Sequence, residues 1–236
     1  MKSSIPKLFL IIKNDSERVS KKNFQLLSDL PLYEYYLNQR NNFDIYIDTD
    51  SDEIFSRMNN EEKFSHITCY KRDLSHIHME ESGNESPAPL MIKRFLDEYV
   101  NDDNEFIITS HITSPFVKDE TILKALNQTK NYESISSVES IKEFAVLRQK
   151  DGTETPINFS YHKLVKTQSL DELLILNGAF FILNKKKFLN NGLKRISDNH
   201  LYYTIDNEEA LDIDLPYQLN LAQLISKQKD INRSKE

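Results

Sequence analysis

The chain is expected to fold as an α/β protein: a mixed, mostly parallel sheet flanked by helices on both faces. Three observations predict it. Short apolar runs alternate with longer amphipathic stretches, the rhythm of strands joined by crossover helices. Only 4 glycines and 7 prolines punctuate 236 residues, too few for a turn-rich sandwich. Apolar content of 39%, with 13 Phe and 11 Tyr, suffices for one good-sized core and argues against wholesale disorder.

The elements follow in order. Leu8-Phe9-Leu10-Ile11-Ile12 centres a buried strand over 7–13, and a helix over 31–39 opens on Pro31, where a missing N–H costs little. Apolar, β-favouring runs predict further strands over 43–48, 66–70, 105–110, 134–139 and 179–183. Helical spacing fits 52–58, 90–100, 118–130 and 217–227, the last preceded by Pro216. Two segments break the rhythm. Residues 79–89 are polar and proline-punctuated, as in a flexible cover over a site. Residues 141–176 are irregular and strand-compatible around a hairpin-like Asp151-Gly152 turn, as in a protruding arm. One domain over 1–226 is expected, with the charged residues 227–236 frayed.

A net charge of −7 argues against wrapping a nucleic acid duplex. Basic residues nevertheless group at 13–22, 185–187 and 194–195, so a local anion site is compatible with an acidic whole. The single cysteine, Cys69, excludes an intrachain disulfide and reads as a small buried hydrophobe. No apolar window reaches the length of a membrane span, and the N-terminus leads straight into a strand. A cytoplasmic protein without membrane contact is expected.

Two stretches carry possible chemistry. In a parallel sheet, ligands bind beyond the C-terminal strand ends, where the polar segment Lys13 to Asn23 emerges. Its cations Lys13, Arg18, Lys21 and Lys22 outweigh Asp15 and Glu17, leaving +2. With Ser16 and loop N–H groups they form either a polyphosphate cradle, one lacking glycine, or a solvated basic loop. The second is Asp212-Ile213-Asp214: an extended backbone puts both carboxylates on one face. At roughly 6–7 Å they repel by about 2 kcal/mol, which a hard cation relieves. The pattern recurs at Asp48-Thr49-Asp50, so alone it also fits an ordinary polar strand end. His76-Ile77-His78 lacks a nearby third ligand and reads as solvent-facing loop histidines. The serines at 134, 136 and 137 sit in no nucleophile elbow, and no Ser/His/Asp triad is recognisable.

The order of these pieces resembles the CMP-sialic acid synthetase (acylneuraminate cytidylyltransferase) family. Ile12 through Asn23 fits, without a gap, that family's first-loop frame Ala-Arg-x-Gly-Ser-Lys-x-Ile-Pro-x-Lys-Asn. Pro31-Leu32-Tyr33-Glu34-Tyr35 resembles its following helix start, residues 44–51 its second strand, and Lys71-Arg72 its Arg-Pro segment. His111-Ile112-Thr113-Ser114-Pro115 is similar to Gln-Pro-Thr-Ser-Pro, and Gln168-Ser169-Leu170 with Asn177-Gly178-Ala179 to Gln-x-Leu and Asn-Gly-Ala. Ala210-Leu211-Asp212-Ile213-Asp214 resembles the terminal metal motif.

The resemblance implies a nucleotide-diphospho-sugar transferase fold (Rossmann-like, GT-A-like) and a homodimer that exchanges the 141–176 arm. It implies transfer of CMP from CTP to an acidic, nonulosonic acid-like sugar with release of pyrophosphate. By position, Lys13, Arg18 and Lys22 would be catalytic, and these three with Ser16, Asn23, Arg72 and His111 would bind nucleotide. Gln168 and Asn177 would face the acceptor, while Asp212 and Asp214 would hold Mg²⁺. The departures are specific. Lys13 stands for an arginine, Asn14 and Asp15 for small residues, Glu17 for a lysine and Ser20 for proline; the Asn-x-Ser-Glu-Arg-type loop resembles that of a divergent branch of the family. Thr167 stands where sialic acid synthetases place a carboxylate-gripping arginine, leaving the acceptor open. Two other readings stay open on the same fold: a non-catalytic nucleotide-binding relative, and a transferase using a nucleotide-sugar donor.

Overall fold

The computed structural model describes residues 5–83, 86–163 and 165–233. From the N-terminus come β1 (Lys7–Ile12), the two-residue strands β2 (Leu26–Leu27) and β3 (Leu30–Pro31), α1 (Leu32–Leu37), β4 (Asp44–Thr49), α2 (Asp52–Asn60), β5 (Ile67–Lys71) and α3 (Leu74–Ser82). Next are α4 (Ala88–Tyr99), β6 (Phe106–Ser110), α5 (Asp119–Leu126), β7 (Ser134–Ile141), β8 (Val146–Arg148) and β9 (Glu154–Pro156). The chain closes with β10 (Leu173–Asn184), α6 (Lys185–Asn190), β11 (His200–Thr204) and α7 (Pro216–Arg233).

Seven strands make one sheet in the order β11-β7-β10-β6-β1-β4-β5. β10 alone in it runs against its neighbours; the other pairings are parallel. The alternation in β1 divides the core. Leu8, Leu10 and Ile12 face α1, α2 and α5 through Tyr36, Ile54 and Ile122, while Phe9 turns toward α4 and α6. On that second face Phe9 stacks on Phe95, with ring centroids 4.7 Å apart. A third cluster joins Val19, Phe116 and Ile213 to Leu219 and Ala222 of α7.

The expected strands and helices form, most with ends shifted by a few residues; β10 grows to Leu173–Asn184. The Asp151-Gly152 turn does join a hairpin, β8 to β9, with Gly152 at φ 87°. Five elements lacked a legible pattern: the two-residue strands β2 and β3, and α3, α6 and β11. In α3 the cap is clear, since Asp73 accepts the Ser75 N–H at 2.8 Å, yet its sequence has almost no amphipathic contrast. His76 and His78 therefore sit on a helix rather than in a loop, and His76 is buried. The cover expected over 79–89 resolves into the end of α3, Gly83 at φ 68°, and the start of α4; its residues 84 and 85 lie outside the described residues. At the other end α7 continues through Arg233, past where charge density suggested fraying. Lys229 of this last stretch pairs with Glu208 and lies over Phe116, and Ser226 is buried.

Candidate active site

A cleft of about 1010 Å³ opens at the C-terminal ends of β1 and β6, beside the middle of β10. This is the switch point of the sheet, where β1 has β4 on one side and β6 on the other. Three segments supply most of its polar wall.

The first is the loop after β1. Val19, its sole apolar residue, is buried against Ile213, so the loop folds down onto the chain just before α7. Arg18 and Lys22, on either side of that anchor, both reach Asp214, at 3.0 and 3.1 Å. Lys22 also donates to the Ile213 carbonyl at 2.7 Å. Asn23 does not point at the ligand space alone: its amide donates to the Lys13 carbonyl at 2.6 Å and ties the loop's two ends together. Asp15 replaces the flexibility of glycine by holding the loop from within, its carboxylate accepting the Ser16 and Lys21 N–H groups at 2.8 and 3.1 Å. These bonds hold its pKa below the ordinary carboxylate value. Neither Asn14 nor Asp15 adopts positive φ; the left-handed residue is Lys21, at φ 50°. Lys13 pairs with Glu80 of α3, and Ser16 and Glu17 also line the cleft.

The second segment is the turn after β6. Ser114 N–H closes it on the His111 carbonyl at 3.0 Å, leaving His111 and Thr113 on the cleft. The surrounding protein, then Arg195, then Lys22, push the His111 pKa down to about 4. The ring is nevertheless exposed to the open cleft, where water opposes part of that push; two cationic neighbours fix the direction, a neutral imidazole at neutral pH. Gly178 of β10 packs on this ring: it holds φ 72°, and an added Cβ would lie 3.4 Å from Nδ1. A register shift between Leu176 and Phe181 makes room there. Beside it Asn177 is fixed through its oxygen, which accepts from Ser137 Oγ and the Ala179 N–H.

The third is Asp212-Ile213-Asp214. Ile213 N–H donates to the Thr113 carbonyl at 2.8 Å and its side chain is fully buried, while both carboxylates line the cleft. Burial raises the Asp212 pKa, Thr113 opposes that, and Asp214 adds to it. Asp212 Oδ1 is buried without a hydrogen-bond partner among the described residues. An orphaned acceptor beside a second carboxylate suits Mg²⁺, which takes one or two carboxylates and fills its remaining positions with phosphate and water oxygens. Among the described residues, no three His, Cys, Asp or Glu side chains gather as an all-protein metal cage. Charge points the same way. Among the described residues, seven carboxylates line the cleft against four cations, so a bare triphosphate would enter a net negative site.

Two expected site residues stand elsewhere. Arg72 does not line the cleft: its guanidinium is wholly buried, bonded to Asp48 at 2.8 Å and to Glu80 at 2.9 Å. It positions Glu80, which in turn holds Lys13. Gln168 is exposed on the arm, away from the cleft of its own chain. Sequence reasoning missed Arg195, which lines the cleft with its guanidinium 4.2 Å from the centre of the Phe181 ring. Its signal in the sequence is the basic pair Lys194-Arg195, the last of the three basic groups. Cys69 is free and buried, its thiol pushed up to about 12, and takes no part.

A seven-stranded, mostly parallel sheet with helices on both faces, as seen here, is also the fold of solved nucleotidyltransferases. Residues 13–231 match the cytidylyltransferase family, and the chain belongs to that family. Solved structures similar to it include 4-diphosphocytidyl-2C-methyl-D-erythritol synthase from Anaerococcus prevotii, at 11% identity and TM-score 0.62 over 94% of this chain and 99% of that one. A second 4-diphosphocytidyl-2C-methyl-D-erythritol synthase gives 12% and 0.60 over 94% and 99%. The bifunctional IspDF from Campylobacter jejuni gives 14% and 0.58 over 92% and 54%. At these identities the likeness is one of fold. No curated protein matches the chain in sequence. Among the described residues, no helix is long and apolar enough to cross a membrane.

Proposed function

We propose that the chain moves CMP from CTP to an acidic sugar or a related acceptor and releases pyrophosphate. The observation that carries this is one cleft, in a cytidylyltransferase, where Lys13, Arg18 and Lys22 meet Asp212 and Asp214. An acceptor hydroxyl attacks the α-phosphorus and gives up its proton to solvent as the new P–O bond forms, and the bond to the β-phosphate breaks, releasing pyrophosphate. Lys13, Arg18 and Lys22 offset the charge that builds on the phosphate oxygens. Each is held by a carboxylate, so the triphosphate takes them over from Glu80 and Asp214. Asp212 and Asp214 would hold Mg²⁺, which when bound neutralises phosphate charge. Ser16, Asn23 and a neutral His111 bind or shape the nucleotide side, and Asn177 faces the acceptor.

A second acceptor reading comes from the fold neighbours, named for making 4-diphosphocytidyl-2C-methyl-D-erythritol: a polyol joined to the cytidyl group through a diphosphate. We also propose a homodimer. The arm and the adjoining part of β10 expose Leu147, Ile157, Tyr161, Leu174 and Ile175, more apolar surface than an isolated arm supports. Exchange of that arm would carry Gln168 to the partner's cleft. The test is pyrophosphate release with each of the four NTPs against sugar acids and phosphorylated polyols. Release is expected with CTP, Mg²⁺ and one acceptor class, and it disappears in Lys22→Met. Release that favours another NTP, or survives Lys22→Met, contradicts the reading.

A further inference from the structure

Of the four cations that line the cleft among the described residues, three have carboxylate partners: Lys13 with Glu80, and Arg18 and Lys22 with Asp214. Arg195 is different. Among the described residues no carboxylate or hydrogen-bond acceptor engages it, although the cleft is rich in carboxylates. Its guanidinium lies over the Phe181 ring at 4.2 Å, and stacking holds the plane while leaving the N–H edge free. Part-buried, it has given up some hydration without gaining a partner, and the protein around it lowers its pKa. A planar fork fixed in this way matches a carboxylate or phosphate bidentately.

Its place in the fold separates it from the triphosphate grip. The cationic loop follows β1, whereas Phe181 belongs to β10, and β6 lies between those strands. His111, on the turn after β6, feels the charge of both Arg195 and Lys22, and Gly178 packs on its ring. The site thus has two anion-directed ends. One is matched by Asp212 and Asp214 across the loop cations; the other has a single unpaired arginine.

We infer that Arg195 recognises the anionic group of the acceptor, a carboxylate or a phosphate, and so sets the acceptor class. This rests on the cytidylyl-transfer reading and adds to it a specificity-determining residue.

The experiment uses the full chain saturated with CTP and Mg²⁺ and without an acceptor, so that the nucleotide end is filled. Thermal unfolding is followed while acetate or inorganic phosphate is titrated at constant ionic strength with chloride. In the wild type one of the two anions raises the unfolding temperature further, and which one identifies carboxylate or phosphate as the acceptor's group. Arg195→Met keeps the CTP shift, and its apparent affinity for that anion falls about 10- to 100-fold. Arg195→Lys recovers part of it, because it keeps the charge and loses the fork. Arg195→Gln serves as a second variant if Arg195→Met unfolds early. An anion response unchanged in Arg195→Met and Arg195→Gln overturns the inference. So does a wild type that answers CTP but neither anion, or a CTP shift that disappears with Arg195. If CTP does not shift the wild type at all, the functional reading fails first and this inference with it.

Discussion

Asp212 and Asp214 are two residues apart, yet replacing each by asparagine should move stability in opposite directions. Two carboxylates roughly 6–7 Å apart repel by about 2 kcal/mol at an effective dielectric near 20. Arg18 and Lys22 are already committed to Asp214, so the repulsion falls on Asp212, whose Oδ1 is buried without a partner. Counting the partial screening by those cations, Asp212→Asn is expected to stabilise the ligand-free protein by about 1 kcal/mol, or roughly 2–4 °C at this chain length. The pH dependence has a definite sign. The native pKa of Asp212 is raised above its ordinary value, so the cost of its charge is absent in acid and grows as pH rises through that pKa. The gain from Asp212→Asn should therefore appear at neutral pH and vanish toward pH about 4. Asp214→Asn instead removes the carboxylate from the nearly buried Lys22 and should cost about 1–2 kcal/mol. Both variants should lose CTP-dependent pyrophosphate release by about 10²-fold or more, the scale of several kcal/mol of lost charge stabilisation. Differential scanning calorimetry across pH, with a coupled pyrophosphate assay, reads all of this. A destabilised Asp212→Asn with normal turnover would refute both the electrostatic reasoning and the metal assignment.

Other consequences are checked separately. Asp119 is buried and accepts from Arg40, from the Asn41 and Asn42 N–H groups at 3.1 and 3.3 Å, and from the Asn42 amide at 3.0 Å. Asp119→Ala should cost about 3–5 kcal/mol in urea unfolding, because it leaves the Arg40 charge buried and unpaired. His111, with its pKa lowered to about 4, stays neutral in the native state while the unfolded chain takes up a proton near 6.5, so stability is full above that pH and falls as pH drops from about 6.5 toward about 4. His111→Gln should flatten that part of the pH–stability profile. Leu174→Glu with Ile175→Glu should leave a monomer by analytical ultracentrifugation if the arm is the dimer contact; an unchanged mass would place the contact elsewhere.

The fold was largely legible because β1, β4, β5, β6 and β7 and α1, α2, α4 and α5 follow strong apolar periodicities. What escaped notice was held together by tertiary contacts. α3 has a cap but little amphipathic contrast; α6 is six residues beginning with three lysines; β11 is a part-exposed edge strand. α7 outran its expected end because Lys229 finds Glu208 and Phe116, which no local pattern reveals. At the site, the i, i+2 spacing of Asp212 and Asp214 carried through, with Ile213 buried between them. Arg72 showed its type but not its depth, since only the folded sheet brings Asp48 and Glu80 around it. The loop is held without glycine in a way no local pattern announces: Asp15 braces it through its carboxylate, and Lys21 supplies the left-handed turn. Arg195 was the real omission, because a lone arginine becomes informative only once Phe181 lies beneath it.

The central claim is that this cleft binds CTP together with Mg²⁺, and thermal unfolding of the wild type tests it most directly. A ligand at 100 times its Kd stabilises the native state by about 2.7 kcal/mol. CTP with Mg²⁺ should raise the unfolding temperature by several degrees, ahead of ATP, GTP and UTP. CTP with EDTA should do much less, because among the described residues seven carboxylates against four cations leave the cleft negative until a divalent ion joins it. No shift with CTP and Mg²⁺, or an equal shift in EDTA, would contradict the account.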